Sequence, residues 1–330
     1  MKIFKKSLII ALFVIASLTG CKDSEMSEQL QTQNTISQFV ENNEPEFEQP
    51  KNITKPLEVI AKQGAPKTEE NQISIGSFNI KQFGNTKIDK QNITDKLVEI
   101  IDDYDIIAIQ EFLDKDKKVP YKFLDMLNEN DKDYGIVMSK KGQGYSKNEL
   151  YVFYFDKDKI TYLNKSYLYP DEQKEFSRPP FMAYFKVKNG NFDFVLGTVH
   201  TKPDNAKKEI SALAKVFDHA SAKYNEKDVI IVGDYNADGT YYDEDNTNQI
   251  LEDTERYYFA IPDKFDTTVA KSSNTYDRIV FLRGTKEDFT RKAGVDYFFM
   301  RWPEITNEEE GKISDHYPVY AIFNTNKDND

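Results

Sequence analysis

Val229-Ile230-Ile231-Val232-Gly233-Asp234-Tyr235-Asn236-Ala237-Asp238 reads as a buried strand running into a turn that carries carboxylates. A second segment, Ile313-Ser314-Asp315-His316-Tyr317-Pro318-Val319, leads into another apolar run, Val319-Tyr320-Ala321-Ile322-Phe323. Carboxylates at strand ends face a cleft rather than a solvated helix surface, and hard oxygen ligands so placed suit Mg²⁺ or Ca²⁺. His316 stands directly beside Asp315 and is one of three histidines in 330 residues. A titratable imidazole next to a cation-binding carboxylate is the pairing that hydrolysis of a phosphate ester requires.

Working outward, residues 73–80 alternate and predict a strand, and 94–104 carry Leu97, Ile100 and Ile101 at helical spacing. Residues 105–111 predict a buried strand ending in Glu111. A helix is predicted over 121–127 and a strand over 150–155. The runs 181–187 and 193–199 predict a hairpin across Asn189-Gly190. Residues 207–224 predict a helix, and 277–282 and 318–323 complete the strands. No Gly-rich phosphate loop occurs. Strands that first alternate with helices and then pair as hairpins predict an α/β sandwich of two mixed sheets, not one doubly wound parallel sheet.

The N-terminus has a separate character. Lys2, Lys5 and Lys6 precede an apolar stretch from Leu8 to Leu18, too short for a membrane span and typical of a cleaved signal. It ends in Leu18-Thr19-Gly20-Cys21, which resembles a bacterial lipobox and implies cleavage before Cys21 with acylation of its sulfur. Cys21 is the sole cysteine, so no intramolecular disulfide can form. Residues 21–70 are polar, with Glu, Gln, Asn and Pro in abundance, and predict a disordered tether. Residues 71–330 are long enough for one large domain. Residues 1–20 hold three lysines and no acid, so losing them takes the formal charge from −12 to −15. That balance argues against broad electrostatic nucleic-acid binding, while leaving room for a nuclease with a local basic surface and a bound cation.

In chain order the strand ends deliver Asn79, Glu111, Glu149, His200, Asp234 with Asn236, Asp277, and Asp315 with His316. Around them stand Phe78-Asn79-Ile80-Lys81-Gln82-Phe83-Gly84-Asn85-Thr86-Lys87, Tyr104-Asp105-Ile106-Ile107-Ala108-Ile109-Gln110-Glu111 and Ser177-Arg178-Pro179-Pro180. Val199-His200-Thr201-Lys202-Pro203 and Asn274-Thr275-Tyr276-Asp277-Arg278-Ile279-Val280 follow. This ordered set resembles the endonuclease/exonuclease/phosphatase superfamily, and within it deoxyribonuclease I, over about residues 72–324. The resemblance implies a four-layer sandwich of two sheets between helices. It implies that Glu111, helped by Asn79 and Asp315, holds Mg²⁺ or Mn²⁺. His200 with Glu149 and His316 with Asp277 would be acid–base pairs, and Asp234 and Asn236 would bind metal or phosphate and orient water. Arg178 and Tyr145 would contact nucleic acid, and a structural Ca²⁺ loop is matched by Asp266, Thr268 and Ser272, with Ala270 as a gap. His219, on the helix predicted over 207–224, reads as structural or solvated.

Departures from the pattern bear on substrate gripping. Leu113 stands where deoxyribonuclease I has a minor-groove arginine, and Lys115, Lys117 and Lys118 follow close by. Gly239 and Asn274 occupy the positions of a family disulfide, and Tyr169–Lys174 lacks the pattern of a second calcium loop. The resulting expectation is a secreted, lipid-anchored, monomeric, metal-dependent endonuclease that cuts double-stranded DNA with little sequence preference. Lys22 after the lipidated cysteine points to the outer membrane or cell surface. A sphingomyelinase-type phosphodiesterase is the leading alternative, with Tyr297–Trp302 as its lipid contact, although that run reads first as a core helix or strand. A catalytically dead surface binding module is the other; the intact residue set speaks against it.

Overall fold

The computed structural model describes residues 64–114, 116–140, 149–239, 241–242, 253, 255–263, 265–270 and 272–329. The expected signal sequence, Cys21, the part of the expected tether up to residue 63, Lys115 and Tyr145 lie outside the described residues. The chain forms β1 (Gln72–Phe83), α1 (Asn85–Ile88), α2 (Gln91–Ile101), β2 (Ile106–Leu113), α3 (Lys118–Leu127), β3 (Tyr134–Met138) and β4 (Glu149–Asp156). Then follow β5 (Ile160–Leu168), β6 (Phe181–Val187), β7 (Asp193–His200), α4 (Ala206–Tyr224), β8 (Val229–Asp234) and β9 (Tyr257–Phe259). Last come β10 (Asp277–Leu282), β11 (Phe289–Val295), α5 (Asn307–Ile313) and β12 (Val319–Asn324).

Two six-stranded sheets result, in the orders β11-β12-β1-β2-β4-β3 and β5-β6-β7-β8-β10-β9. Both are mixed, because β1–β2 and β7–β8 run parallel while β12–β1 and β8–β10 run antiparallel. Central strands read as unbroken apolar runs because both of their faces are covered. In β6, β7 and β8 the residues Phe181, Phe185, Phe194, Leu196, Ile230 and Val232 join the core shared with the first sheet. Their alternates Met182, Val195, Val199 and Ile231 instead pack under Ile210, Leu213, Val216 and Phe217 of α4. Rings meet across the sandwich, Phe153 on Phe181 at 5.4 Å and Phe281 on Phe323 at 5.5 Å between centroids. Helices α2 and α3 bury Ile93, Leu97, Ile100, Phe123 and Leu127 against the first sheet. The order is helix, sheet, sheet, helix.

Four strands go beyond the sequence prediction: β3, β5, β9 and β11. They are the four sheet edges. An edge strand is open to water along one side, so its sequence loses the apolar run; β5 is exposed or half-buried at every position after Ile160. The helix predicted over 94–104 instead spans 91–101, and Tyr104 turns inward beside Gly76. The run Tyr297–Trp302 is neither core helix nor strand. It holds a 3₁₀ turn over Phe298–Arg301, with Phe298 buried and Phe299 and Met300 exposed. Two short helices, α1 and α5, were not legible from periodicity. The second begins with a capping box: Thr306 Oγ1 accepts from Glu309 N, and Glu309 Oε2 accepts from Thr306 N.

Candidate active site

Register brings the residues together. Parallel pairing sets His200 opposite Asp234, and antiparallel pairing sets Asp234 opposite Asp277, so one row across three strands carries an imidazole and two carboxylates. Only glycine allows this row at position 233. Its φ is +144°, and a Cβ there would lie 1.9 Å from Val199 O. In the facing sheet, Asn79 of β1 pairs with Gln110 at the point where the β1–β2 register breaks, and Glu149 opens β4 opposite Leu113.

Two imidazole–carboxylate pairs converge on one oxygen. His200 Nδ1 lies 2.7 Å from Glu149 Oε1, and its Nε2 lies 3.5 Å from Asp234 Oδ2. His316 Nδ1 lies 2.8 Å from Asp277 Oδ2, and its Nε2 lies 3.7 Å from the same Asp234 oxygen. A carboxylate can only accept, so each fixes a proton on Nδ1 and aims Nε2 into the cleft. Asp234 Oδ2 also accepts from Asn79 Nδ2 at 3.1 Å, and Oδ1 accepts from Asn236 N at 2.9 Å. Asn79 Nδ2 bridges onward to Glu111 Oε1 at 3.0 Å, and Glu111 Oε2 accepts from Gln82 N at 2.8 Å. Lys81, Gln82, Glu111 and Asn236 all take left-handed φ values between 47° and 65°. Such backbone costs on the order of 1–3 kcal/mol per residue, and here it aims N–H groups at the site's oxygens.

The charges are strongly coupled. Burial alone would depress the His200 imidazole, but the Glu149 carboxylate and Asp234 outweigh it, and the net shift is upward. Glu149 moves the other way: burial would raise it, yet His200 and Arg178 hold it below its ordinary value. His316 is also raised against the effect of burial, by Asp277, Asp234 and Asp315. Asp277 is buried and has one oxygen, Oδ1, with no protein partner, leaving Oδ2 for the histidine.

Arg178 stands behind the first pair, not on an open surface. Its NH1 donates to Glu149 Oε2 at 3.0 Å, Nε to His200 O at 2.8 Å and NH2 to Thr201 O at 2.7 Å, and the residue is only 8% exposed. Three of its five N–H groups are thus engaged in contacts that hold Glu149 and His200. Tyr151, Ser314 and Lys87 are further participants that sequence reading did not single out. His200 N donates to Tyr151 Oη, and Ser314 Oγ accepts from His316 N while donating to Asn79 O. Their partners are backbone groups brought near by folding, and side-chain chemistry alone carries no such signal.

The Asp266 loop is closed by its own hydrogen bonds. Asp266 Oδ1 accepts from Thr268 N, Thr268 Oγ1 and Asn274 N, and Thr268 Oγ1 lies 3.2 Å from Ser272 O. Thr268 also pairs with the His316 backbone, so the loop braces the site. Across the positions of the family disulfide, Asp238 Oδ2 accepts from Thr275 N at 2.6 Å and ties the same two loops. His219 sits on α4 against Tyr167 and Tyr169, with Tyr167 Oη 2.9 Å from Nδ1, apart from this cluster.

The donor set suits a hard cation. Glu111 and Asp315 offer carboxylate oxygens and Asn79 an amide oxygen that accepts from Lys81 N at 3.0 Å, and Asp315 is half-exposed with the Lys81 ammonium 3.3 Å from Oδ2. Among the described residues no three His, Cys, Asp or Glu side chains form a closed cage. An open site with one or two carboxylates fits an ion that keeps several waters, as Mg²⁺ does. A separate concavity of about 730 Å³ between α2 and α3 is lined by Asp95, Glu99, Asp102, Asp103, Glu129 and Asp131 against one cation, Arg301, an acidic balance that disfavours a polyanion.

Paired imidazoles beside open oxygen ligands, set at the mouth of a two-sheet sandwich, are the equipment of a metal-dependent phosphodiester hydrolase. The profile of the endonuclease/exonuclease/phosphatase family matches residues 76–316. The chain is 35% identical over 253 residues to deoxyribonuclease-1-like 1 of Rattus norvegicus, covering 76% of this chain and 80% of that protein. It is 33% identical over 257 residues to deoxyribonuclease gamma of Homo sapiens, covering 74% and 84%. With deoxyribonuclease-1 of Bos taurus it shares 32% over 260 residues, covering 75% and 90%. A solved endonuclease/exonuclease/phosphatase from Bacteroides vulgatus superposes with a TM-score of 0.56 at 17% identity, over 77% of this chain and 99% of that one. The chain belongs to the endonuclease/exonuclease/phosphatase family.

Proposed function

We propose that this chain is a secreted, lipid-anchored endonuclease that hydrolyses DNA with little sequence preference. The observation that carries the reading is the convergence of His200 and His316 on Asp234 Oδ2, in a chain 35% identical to a deoxyribonuclease over 253 residues. In this reading Glu111, Asn79 and Asp315 hold a divalent cation, Mg²⁺ or Mn²⁺. When bound, that ion relieves negative charge at the scissile phosphate. The chain's own groups do the rest. One imidazole takes a proton from the attacking water at Nε2 and the other gives one to the leaving oxygen. Glu149 and Asp277 hold the two rings in register and stabilise their charged forms. Asp234 stands between the rings and, with Asn236, orients the water. Ca²⁺ at Asp266, Thr268 and Ser272 would steady the loop behind His316.

The N-terminal sequence supports the placement: three lysines, an apolar stretch and Leu18-Thr19-Gly20-Cys21, with Lys22 after the cysteine, are in keeping with an outer-membrane or cell-surface location.

Supercoiled plasmid and sphingomyelin vesicles, each offered to the purified full chain with Mg²⁺ and with chelator, test the reading. Nicking and linearisation of plasmid that stops with chelator is expected. Lipid turnover without plasmid cleavage would overturn the DNA assignment and turn attention to exposed Phe299 and Met300. No turnover of either would favour a binding role.

A further inference from the structure

Lys87, on the single turn of α1, is buried, and its ammonium donates to three backbone carbonyls: Ile80 O at 2.6 Å, Lys81 O at 2.9 Å and Ile313 O at 2.6 Å. An ammonium has three donors and no acceptor, so all of its capacity is used. Burying such a charge is costly, and lysine is rarely found inside a fold without a carboxylate partner. The ring of Phe83 lies 6.0 Å from Nζ, and an apolar side chain would suit that neighbour. The identities of the three carbonyls explain the cation.

Ile80 and Lys81 directly follow Asn79 and lead into the left-handed kink at Lys81 and Gln82, where Gln82 donates its N–H to Glu111. Ile313 is the last residue of α5, and its carbonyl is one of the orphans of a helix end, where a cation is favoured. The next residues are Ser314, Asp315 and His316. Ser314 Oγ adds a second link between the same segments through Asn79 O at 2.6 Å. Two stretches more than two hundred residues apart, one bearing Asn79 and the other Asp315, are therefore joined through Lys87 and Ser314.

We propose that Lys87 is a positioning residue that clamps Asn79 and Asp315 into one cation site and thereby sets the site's affinity for its divalent ion. This rests on the reading that Asn79, Glu111 and Asp315 hold that ion. The two consequences of removing the ammonium oppose each other. Losing a positive charge behind the carboxylates would tighten cation binding, whereas losing the clamp would loosen it.

Mn²⁺ titration of the full chain, following the free-ion signal by electron paramagnetic resonance, separates the two. Glu111→Gln serves as the control for the site itself, and thermal melting verifies that each variant is folded. Lys87→Met is expected to raise the half-saturating Mn²⁺ concentration roughly 10- to 100-fold, the usual cost of removing a group that orients metal ligands. Ser314→Ala is expected to move it the same way by a smaller factor. The change should appear in Mn²⁺ half-saturation more than in turnover at saturating Mn²⁺. A folded Lys87→Met protein that binds Mn²⁺ as tightly as wild type, or more tightly, overturns the proposal. Should Lys87→Met not fold, an unchanged half-saturation in Ser314→Ala overturns it instead. If Glu111→Gln itself binds Mn²⁺ like wild type, the cation-site reading beneath the proposal fails.

Discussion

Asp234 Oδ2 lies within 3.7 Å of both Nε2 atoms, so each imidazole is held between two carboxylates, one orienting Nδ1 and one shared. Removal of either ring leaves the other unable to serve as both acid and base. His200→Ala and His316→Ala are each expected to lower plasmid cleavage roughly 10²–10⁴-fold with the melting curve little changed; near-normal turnover by either would sink the assignment. Glu149→Gln makes a sharper test of how charge tunes the site. The Glu149 carboxylate raises His200 against burial, so without it the imidazole titrates lower than in the wild type. The limb of the pH–rate profile governed by His200 should therefore move to lower pH. A limb that stays put or moves up contradicts this. The same carboxylate is held below its ordinary value of 4.5, so its ionised form contributes stability that is present above 4.5 and lost as pH falls through the lowered value. The wild type's melting advantage over Glu149→Gln should accordingly be full at neutral pH and shrink in acid.

At the scale of elements, the strands that carry site residues are interior strands, and the strands invisible to sequence reading are the four edges. Interior strands such as β8 announce themselves because both faces are packed. Ile230 and Val232 reach the inter-sheet core while Val229 and Ile231 reach α4. An edge such as β5 has no such obligation. Helix α5 was silent for a different reason. Its seven residues hold one large apolar side chain, Ile313, so there is no period to read, although the Thr306-x-x-Glu309 box was present. That box anchors the element that delivers Asp315 and His316. Thr306→Ala should cost about 1 kcal/mol of stability, and differential scanning calorimetry would measure it. An unchanged melting temperature would mean that α5 is held by Ile313 packing and by Tyr317 Oη on Glu310.

At the scale of the whole molecule, the site draws on both sheets and none of its parts is complete alone. Cation removal should abolish turnover while leaving the sandwich folded, because the two apolar cores do not involve the oxygen ligands; loss of far-UV circular dichroism with chelator would contradict that. Metabolic labelling with a fatty acid is expected to mark the wild type and not Cys21→Ser, with turnover intact in both. Equal labelling of the two would exclude acylation at Cys21. From sequence alone came the residue types and their order, the interior strands and the two-sheet class, since those depend on local apolar runs and on chemistry written at strand ends. The distances were decided only by tertiary structure. Register across β7, β8 and β10 sets the row of His200, Asp234 and Asp277, and backbone carbonyls of distant segments recruit Lys87 and Arg178. A carbonyl is the same group at every residue. Which carbonyls need a cation beside them is determined by where the fold buries them.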